Sequence, residues 1–135
     1  MPVNLSFDKL IEYDTREAGI TVPVKLSAGQ NEAVLGAKLD TGSTHCVFER
    51  KHGERLGLEI ENGEPLYFST ATGRFLTFGH ELTVSVLGIE VYTMVYFIDS
   101  EEIVRNILGR QGWIDRIRLG LIDYEGKLFL NSYSE

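Results

Sequence analysis

Short runs of β-branched and aromatic residues, separated by Gly or Asn, follow one another along most of the chain. Such runs are typical of β-strands, and the residues between them are typical of turns. Many short strands with at most two short helices predict a mostly-β protein built as a closed sheet or small barrel. The eight predicted strands are Ile20–Leu26, Ala33–Leu39, His45–Phe48, Pro65–Thr72, Phe75–Leu87, Ile89–Ile98, Leu119–Ile122 and Lys127–Leu130.

Helical signals are few and short. Glu49–Leu56 is one candidate, because Gly57 stands where such a helix would end. Arg110–Arg116 is the other. Residues 1–19 are polar and mixed, and we interpret them as an N-terminal extension to a single domain that covers residues 20–135.

Charge and length exclude several classes of protein. A chain of 135 residues suits one domain with a real core. The net charge of -7 argues against a nucleic-acid ligand, because phosphate binding needs a basic face. This charge favours cationic peptides only slightly, and a solvated acidic surface is its simpler meaning.

The sequence also bears on where the protein resides. No apolar run approaches the roughly 18 residues of a membrane span, and the first residues lack the basic and apolar regions of a secretory signal. Cys46 is the single cysteine, so an intrachain disulfide cannot form. We therefore expect a cytoplasmic protein that does not bind membranes.

The pattern most specific for chemistry is Asp40-Thr41-Gly42-Ser43, which follows the apolar run Ala33–Leu39. An acid at the end of such a strand, beside a glycine that lets another group approach, suits acid–base chemistry. The alternative is an Asx-turn that simply ends the strand, because Asp, Thr and Ser side chains bond their own backbone in turns.

A second motif favours the catalytic interpretation. Asp-Thr-Gly-Ser resembles the active-site loop of aspartic peptidases, and Ile107-Leu108-Gly109-Arg110 resembles the element beside which retroviral-type aspartic proteases thread that loop. Ser69–Gly73 is similar to the tip of their flap hairpin, so Ala71, Thr72 and Gly73 are candidate substrate-binding residues. The three motifs together cover about residues 20–130, and we interpret the chain as a cellular, bacterial-type member of this retropepsin-like family.

The resemblance implies a mechanism that needs two aspartates around one water. One ionised carboxylate takes a proton from the water while the other, protonated, polarises the scissile carbonyl; like charges so close cannot both ionise easily. The chain has a single Asp-Thr-Gly. The implied enzyme is therefore a homodimer with Asp40 of each subunit at the interface, a peptide or protein substrate, and no cofactor or metal.

The resemblance also implies a task for each neighbour of Asp40. The Thr41 hydroxyl would bond across the dimer axis, and Gly42 would let the substrate backbone approach. The Ser43 hydroxyl either donates to the outer oxygen of the carboxylate or bonds the backbone of its own turn. Lys127–Tyr133 is the candidate strand for a sheet shared by the two subunits.

The chain departs from the family pattern at two places. Thr44 stands where retroviral enzymes often have an acid that pairs with the arginine, so Arg110 is left with backbone carbonyls or another acid as partners. Gly73 is alone near the flap tip, whereas retroviral flaps are rich in glycine.

Some apolar residues near these motifs have two interpretations. Phe75, Leu76 and Phe78 either line the inner face of the hairpin or pack the barrel. Trp113 and Cys46 are predicted core residues.

Three functional hypotheses remain from the sequence. The first is a homodimeric aspartic endopeptidase. The second, favoured by the unusual flap and by Thr44, is a catalytically weak or inactive module that kept the fold for binding or dimerisation. The third is a plain β-barrel with a chance Asp-Thr-Gly. Intact Asp40, Thr41 and Gly42 favour the first, because a degenerate module need not retain them.

Overall fold

The computed structural model describes residues 1–134 and has two sheets; the predicted domain end at residue 135 lies outside this range. The strands are β1 (Lys9–Glu12), β2 (Thr21–Ala28), β3 (Asn31–Leu39), β4 (Val47–Phe48), β5 (Glu64–Thr70), β6 (Gly73–Val86), β7 (Ile89–Ile98), β8 (Ile107–Leu108), β9 (Ile117–Ile122) and β10 (Lys127–Ser132). Helix α1 is Arg50–Arg55, and 3-10 turns occupy Ile60–Asn62, Ile114–Arg116 and Asp123–Glu125. No helix within residues 1–134 is long and apolar enough to cross a membrane.

Six strands form a closed ring, which confirms the predicted mostly-β barrel. Around the ring β2 pairs with β3, β3 with β8, β8 with β4, β4 with β7, β7 with β6, and β6 again with β2. Alternate residues of β2, namely Val22, Val24 and Leu26, face the inside and are at most 2% exposed. This alternation is what a strand with one buried face requires.

The hairpin predicted as a flap is present and extends from the ring. Strand β6 is 14 residues long; it pairs with β5 from Gly73 to Gly79 and with β7 from Thr77 to Val86. Thr70 pairs with Gly73, so Ala71 and Thr72 form the two-residue turn of the hairpin.

The second sheet is built from both ends of the chain in the order β1-β10-β9. Strand β1 lies within the segment that we interpret as an extension, and the boundary at residue 19 stays a prediction. Because β1 and β9 flank β10, Lys127–Leu130 uses both backbone edges inside its own chain. The prediction that Lys127–Tyr133 joins a sheet shared with a second subunit stays a prediction, and a strand of that subunit would have to pair with β1 or β9 instead of with Lys127–Leu130.

One predicted helix is confirmed and the other is wrong. Helix α1 lies inside Glu49–Leu56, and Gly57 follows it with φ +77, as predicted. Of Arg110–Arg116 only the last three residues form a 3-10 turn. Gly112 has φ +108, outside the helical region, and its N–H donates to Asp115 Oδ1 at 3.0 Å. Local hydrogen bonds of the loop thus replace those of a helix.

Candidate active site

Asp40 follows directly on β3, where this strand leaves the ring. Its backbone N–H donates to the carbonyl of Leu108 at 3.0 Å. The N–H of Gly42 donates to Asp40 Oδ1 at 2.9 Å, and the N–H of Ser43 donates to the Asp40 carbonyl at 3.1 Å. The Asx-turn that we predicted as the alternative is therefore present, and it holds the half-buried carboxylate in one direction.

Strand β8 runs beside the loop, as the resemblance implies. Leu108 is fully buried and Ile107 is half-buried. The N–H of Arg110 donates to the Ser43 carbonyl at 2.9 Å. A Cβ on Gly109 would lie 2.2 Å from the carbonyl oxygen of His45, far inside van der Waals contact for two atoms that are not bonded. Only glycine therefore lets β8 and the loop pack together.

The two hydroxyls of the loop have different surroundings. Ser43 Oγ donates to the His45 carbonyl at 2.8 Å, which is the second of its two predicted roles. Its single proton is therefore not directed at Asp40. Thr41 is exposed in the loop, and its predicted bond across a dimer axis stays a prediction.

Arg110 contributes to the site through its backbone. Its side chain is exposed, and within residues 1–134 its guanidinium has neither a hydrogen bond nor an ion pair. Neither of the partners predicted for this arginine is therefore found in the described part of the chain.

A cleft of about 390 Å³ lies between the Asp40 loop and β5. The loop, β5, the segment before β8 and β8 itself supply its walls: Asp40, Gly42, Ser43, Thr44, His45, Leu66, Tyr67, Phe68, Ser69, Thr70, Arg105 and Ile107. The predicted flap residues Ala71, Thr72 and Gly73 are exposed at the hairpin turn, next to this cleft and not in its walls. Their contact with substrate stays a prediction. The wall residues that sequence reasoning missed are His45, Leu66, Tyr67, Phe68 and Arg105.

Four rings form an aromatic cluster, defined here as His45, Phe68, Phe75 and Tyr96, and two of them, His45 and Phe68, line the cleft. Phe75 stacks on Phe68 with centroids 5.5 Å apart and planes at 10°. His45 meets Phe68 and Tyr96 edge-on at 5.7 and 5.0 Å. The register of β5 with β6 pairs Phe68 with Phe75, so the position of the hairpin turn was the signal that could have found this contact.

Phe75, Leu76 and Phe78, predicted either to line the hairpin or to pack the barrel, do not all have the same role. Phe75 belongs to the aromatic cluster, whereas Phe78 is a core residue and Leu76 packs against the core. As predicted, Trp113 and Cys46 are core residues.

Burial governs protonation around the loop. It lowers the pKa of His45, so this ring is neutral near pH 7, and it raises the pKa of Tyr96, to which nearby Glu64 adds. Burial also raises the pKa of the Cys46 thiol to about 11, which keeps this sulfur protonated and unreactive. Within residues 1–134 no group of three or more His, Cys, Asp or Glu side chains could hold a metal ion.

Comparison with known proteins agrees with this geometry. A family model described as aspartyl protease matches residues 22–112, which include the Asp40 loop and β8. The chain belongs to the aspartyl protease family. Among solved structures, this family member is similar to the EIAV protease complexed with the inhibitor HBY-793, with 26% identity and a TM-score of 0.56. That match covers 74% of this chain and 88% of the viral one.

These similarities confirm the retropepsin-like family and its barrel, while the cellular origin stays a prediction. No curated protein matches the chain significantly in sequence.

Proposed function

We propose that this aspartyl protease family member is an aspartic endopeptidase that cleaves peptide or protein substrates as a homodimer. The observation that supports the proposal best is the Asp40 loop. Its carboxylate is held by the Gly42 N–H, its backbone is held by β8, and it opens into a cleft large enough for a stretch of peptide.

The proposed reaction uses general acid–base catalysis. The ionised Asp40 of one subunit takes a proton from a water, and the water oxygen attacks the scissile carbonyl carbon. The protonated Asp40 of the other subunit gives its proton to the carbonyl oxygen, so a tetrahedral diol forms. When the diol collapses, the C–N bond breaks and a proton passes to the leaving amine, so the products are a carboxylic acid and an amine.

A second chain is required because one chain has one Asp-Thr-Gly. A two-fold axis next to the loop would bring the two Asp40 carboxylates together and let them share one proton. The exposed position of Thr41 in the same loop supports an interface there. The single buried Cys46 supports residence in a reducing compartment, and we propose the cytoplasm.

The decisive test is cleavage of a denatured protein mixture from about pH 3 to 7 by the wild type and by Asp40→Asn. We expect the wild type to produce fragments and Asp40→Asn to lose activity while it keeps its circular dichroism spectrum, because Asn is nearly isosteric but cannot act as the base. If Asp40→Asn retains more than a few per cent of wild-type turnover, the proposal is wrong.

The exposed flap turn and Thr44 favour a second candidate function, in which the protein binds peptides without cleaving them. The same experiment separates the two. A wild-type protein that binds denatured protein but yields no fragments at any pH, from a preparation shown to be dimeric, would support the binding module.

A further inference from the structure

The walls around Asp40 lack the excess of negative charge that the protein has as a whole. The net charge is -7, yet among the residues that line the cleft Asp40 is the single acid and Arg105 the single arginine or lysine. An adjoining space shares Asp40 and Arg105 and adds Lys38, again with no other acid in its walls. The charged neighbours of the proposed catalytic group in these walls are thus Arg105 and Lys38, with no second acid.

Arg105 has donors available for a ligand. Within residues 1–134 no carboxylate pairs with its guanidinium, and its side chain is exposed to the cleft. Lys38, by contrast, already donates from Nζ to the carbonyl of Ala18 at 2.5 Å. One bond leaves Lys38 two of its three donors, but Arg105 keeps all five of its donors and lines both spaces, so it is the stronger candidate to bind a ligand.

The aromatic cluster positions this arginine. The guanidinium carbon of Arg105 lies 5.8 Å from the centroid of Phe75, and Phe75 stacks on Phe68. Contact with a ring face restrains a guanidinium while leaving its N–H groups free at the edge. His45, at the other end of the cluster, adds no competing positive charge near pH 7 because burial keeps it neutral.

We propose that Arg105 makes the protein select substrates with a carboxylate side chain, Asp or Glu, next to the scissile bond. The inference rests on the proposed function, because it names the substrate class of the same cleft. A guanidinium binds a carboxylate through two parallel N–H···O bonds, which are among the strongest hydrogen bonds in proteins. Without Arg105 a second negative charge beside Asp40 would be repelled, so the same residue both attracts acidic substrates and offsets that repulsion.

The first experiment measures kcat/KM on pairs of octapeptides with an apolar centre that differ by Glu or Gln at one position beside the cleaved bond. At about pH 6 the Glu side chain is ionised. We expect the wild type to prefer Glu over Gln by at least about tenfold, in line with a charge-assisted bond. Arg105→Gln should abolish the preference, and Arg105→Glu should turn it towards a matched Lys peptide.

Arg55→Gln is the matched control. It removes the same charge from an exposed arginine at the end of α1, which lines a different surface depression with neither Asp40 nor Arg105 in its walls. The control should keep the full preference for Glu. An equal preference in the wild type and Arg105→Gln, or an equal loss in both variants, would overturn the inference.

The second experiment does not need turnover. Binding of the same fluorescent peptides is measured by anisotropy with Asp40→Asn and with Asp40→Asn/Arg105→Gln. The inference is supported if Asp40→Asn binds the Glu peptide more tightly than the Gln peptide and Asp40→Asn/Arg105→Gln binds the two equally. Equal affinities of Asp40→Asn for the two peptides, or no binding of either, overturn it. Selective binding together with a wild type that cleaves nothing would overturn the proposed endopeptidase activity and leave the acid-selective site standing.

Discussion

At the scale of single residues, the distances around the Asp40 loop show which side chains the site depends on. Gly109 lets two segments of backbone meet, and Ser43 supports the loop by bonding the His45 carbonyl. The role of Ser43 as a donor to the carboxylate, which the sequence left open, requires a proton that this hydroxyl already gives to the backbone.

Gly109→Ala should destabilise the protein by about 3 kcal/mol and abolish peptide cleavage. The added Cβ would lie 2.2 Å from the carbonyl oxygen of His45 and 2.8 Å from that of Ser43, and neither is a flexible side chain. Equilibrium unfolding in urea measures the loss. Gly29→Ala is the control: it has φ +59 but open space around it, and should cost only about 1 kcal/mol. Equal losses in the two variants would contradict the packing argument.

His45 should make stability depend on pH above the range of the carboxylates. Because burial lowers its pKa in the folded state, the unfolded chain binds more protons between that pKa and about 6.5. Stability is then complete above about pH 6.5 and is lost as the pH falls. His52 contributes to the pH dependence of stability in the same direction, since burial is the largest cause of its lowered pKa.

The measurement is the free energy of unfolding at about pH 7 and pH 5, a window above the carboxylate range. We expect the wild type to lose stability between these values, His45→Gln to lose less, and His45→Gln/His52→Gln to lose least. A drop of the same size in all three proteins would show that neither histidine is responsible.

At the scale of elements, β1 extends the folded unit beyond the residues that the family model matches. It covers one edge of β10 and its own Ile11 is buried, while Phe7, just before the strand, packs against Phe129 with ring centroids 5.9 Å apart. A segment that appears polar in sequence therefore has both a backbone partner and a buried side chain.

Deletion of residues 1–12 should lower the free energy of unfolding by about 2 kcal/mol, the order expected for one buried aliphatic side chain. Thermal unfolding followed by circular dichroism measures it. The matched control deletes residues 1–5, which are all exposed, and should leave stability unchanged. If the longer deletion is also without effect, residues 1–12 are an extension that the domain does not need.

At the scale of the whole molecule, activity should depend on assembly. Each subunit supplies half of the proposed dyad, so activity per subunit should fall on dilution as the dimer dissociates. Mixing the wild type with an excess of Asp40→Asn should also reduce its activity, because mixed dimers have one aspartate. Sedimentation equilibrium gives the dimer affinity for comparison. Full activity in a strict monomer, with no effect of added Asp40→Asn, would contradict the dimer.

Local sequence was enough to predict the barrel and the Asp40 loop. Strands β2, β3 and β7 follow from alternation and from β-branched residues, and Gly57 marks the end of α1. These features depend on neighbours within a few residues, so they are visible in the printed sequence. The prediction of a second helix was wrong because Gly112 takes a positive φ and Asp115 accepts a hydrogen bond from its N–H. Neither feature could be inferred from the sequence of this segment.

The walls of the cleft could be known only from the tertiary structure. Phe68 meets Phe75 through the hairpin register, and both His45 and Arg105 are far from them in sequence. Strand β1 likewise owes its conformation to pairing with β10, more than a hundred residues away. The sequence by itself determined the class of fold and the residue proposed for catalysis, because motif and periodicity are local. Long-range strand pairing decided which side chains surround that residue, because contact between distant segments depends on register and not on propensity.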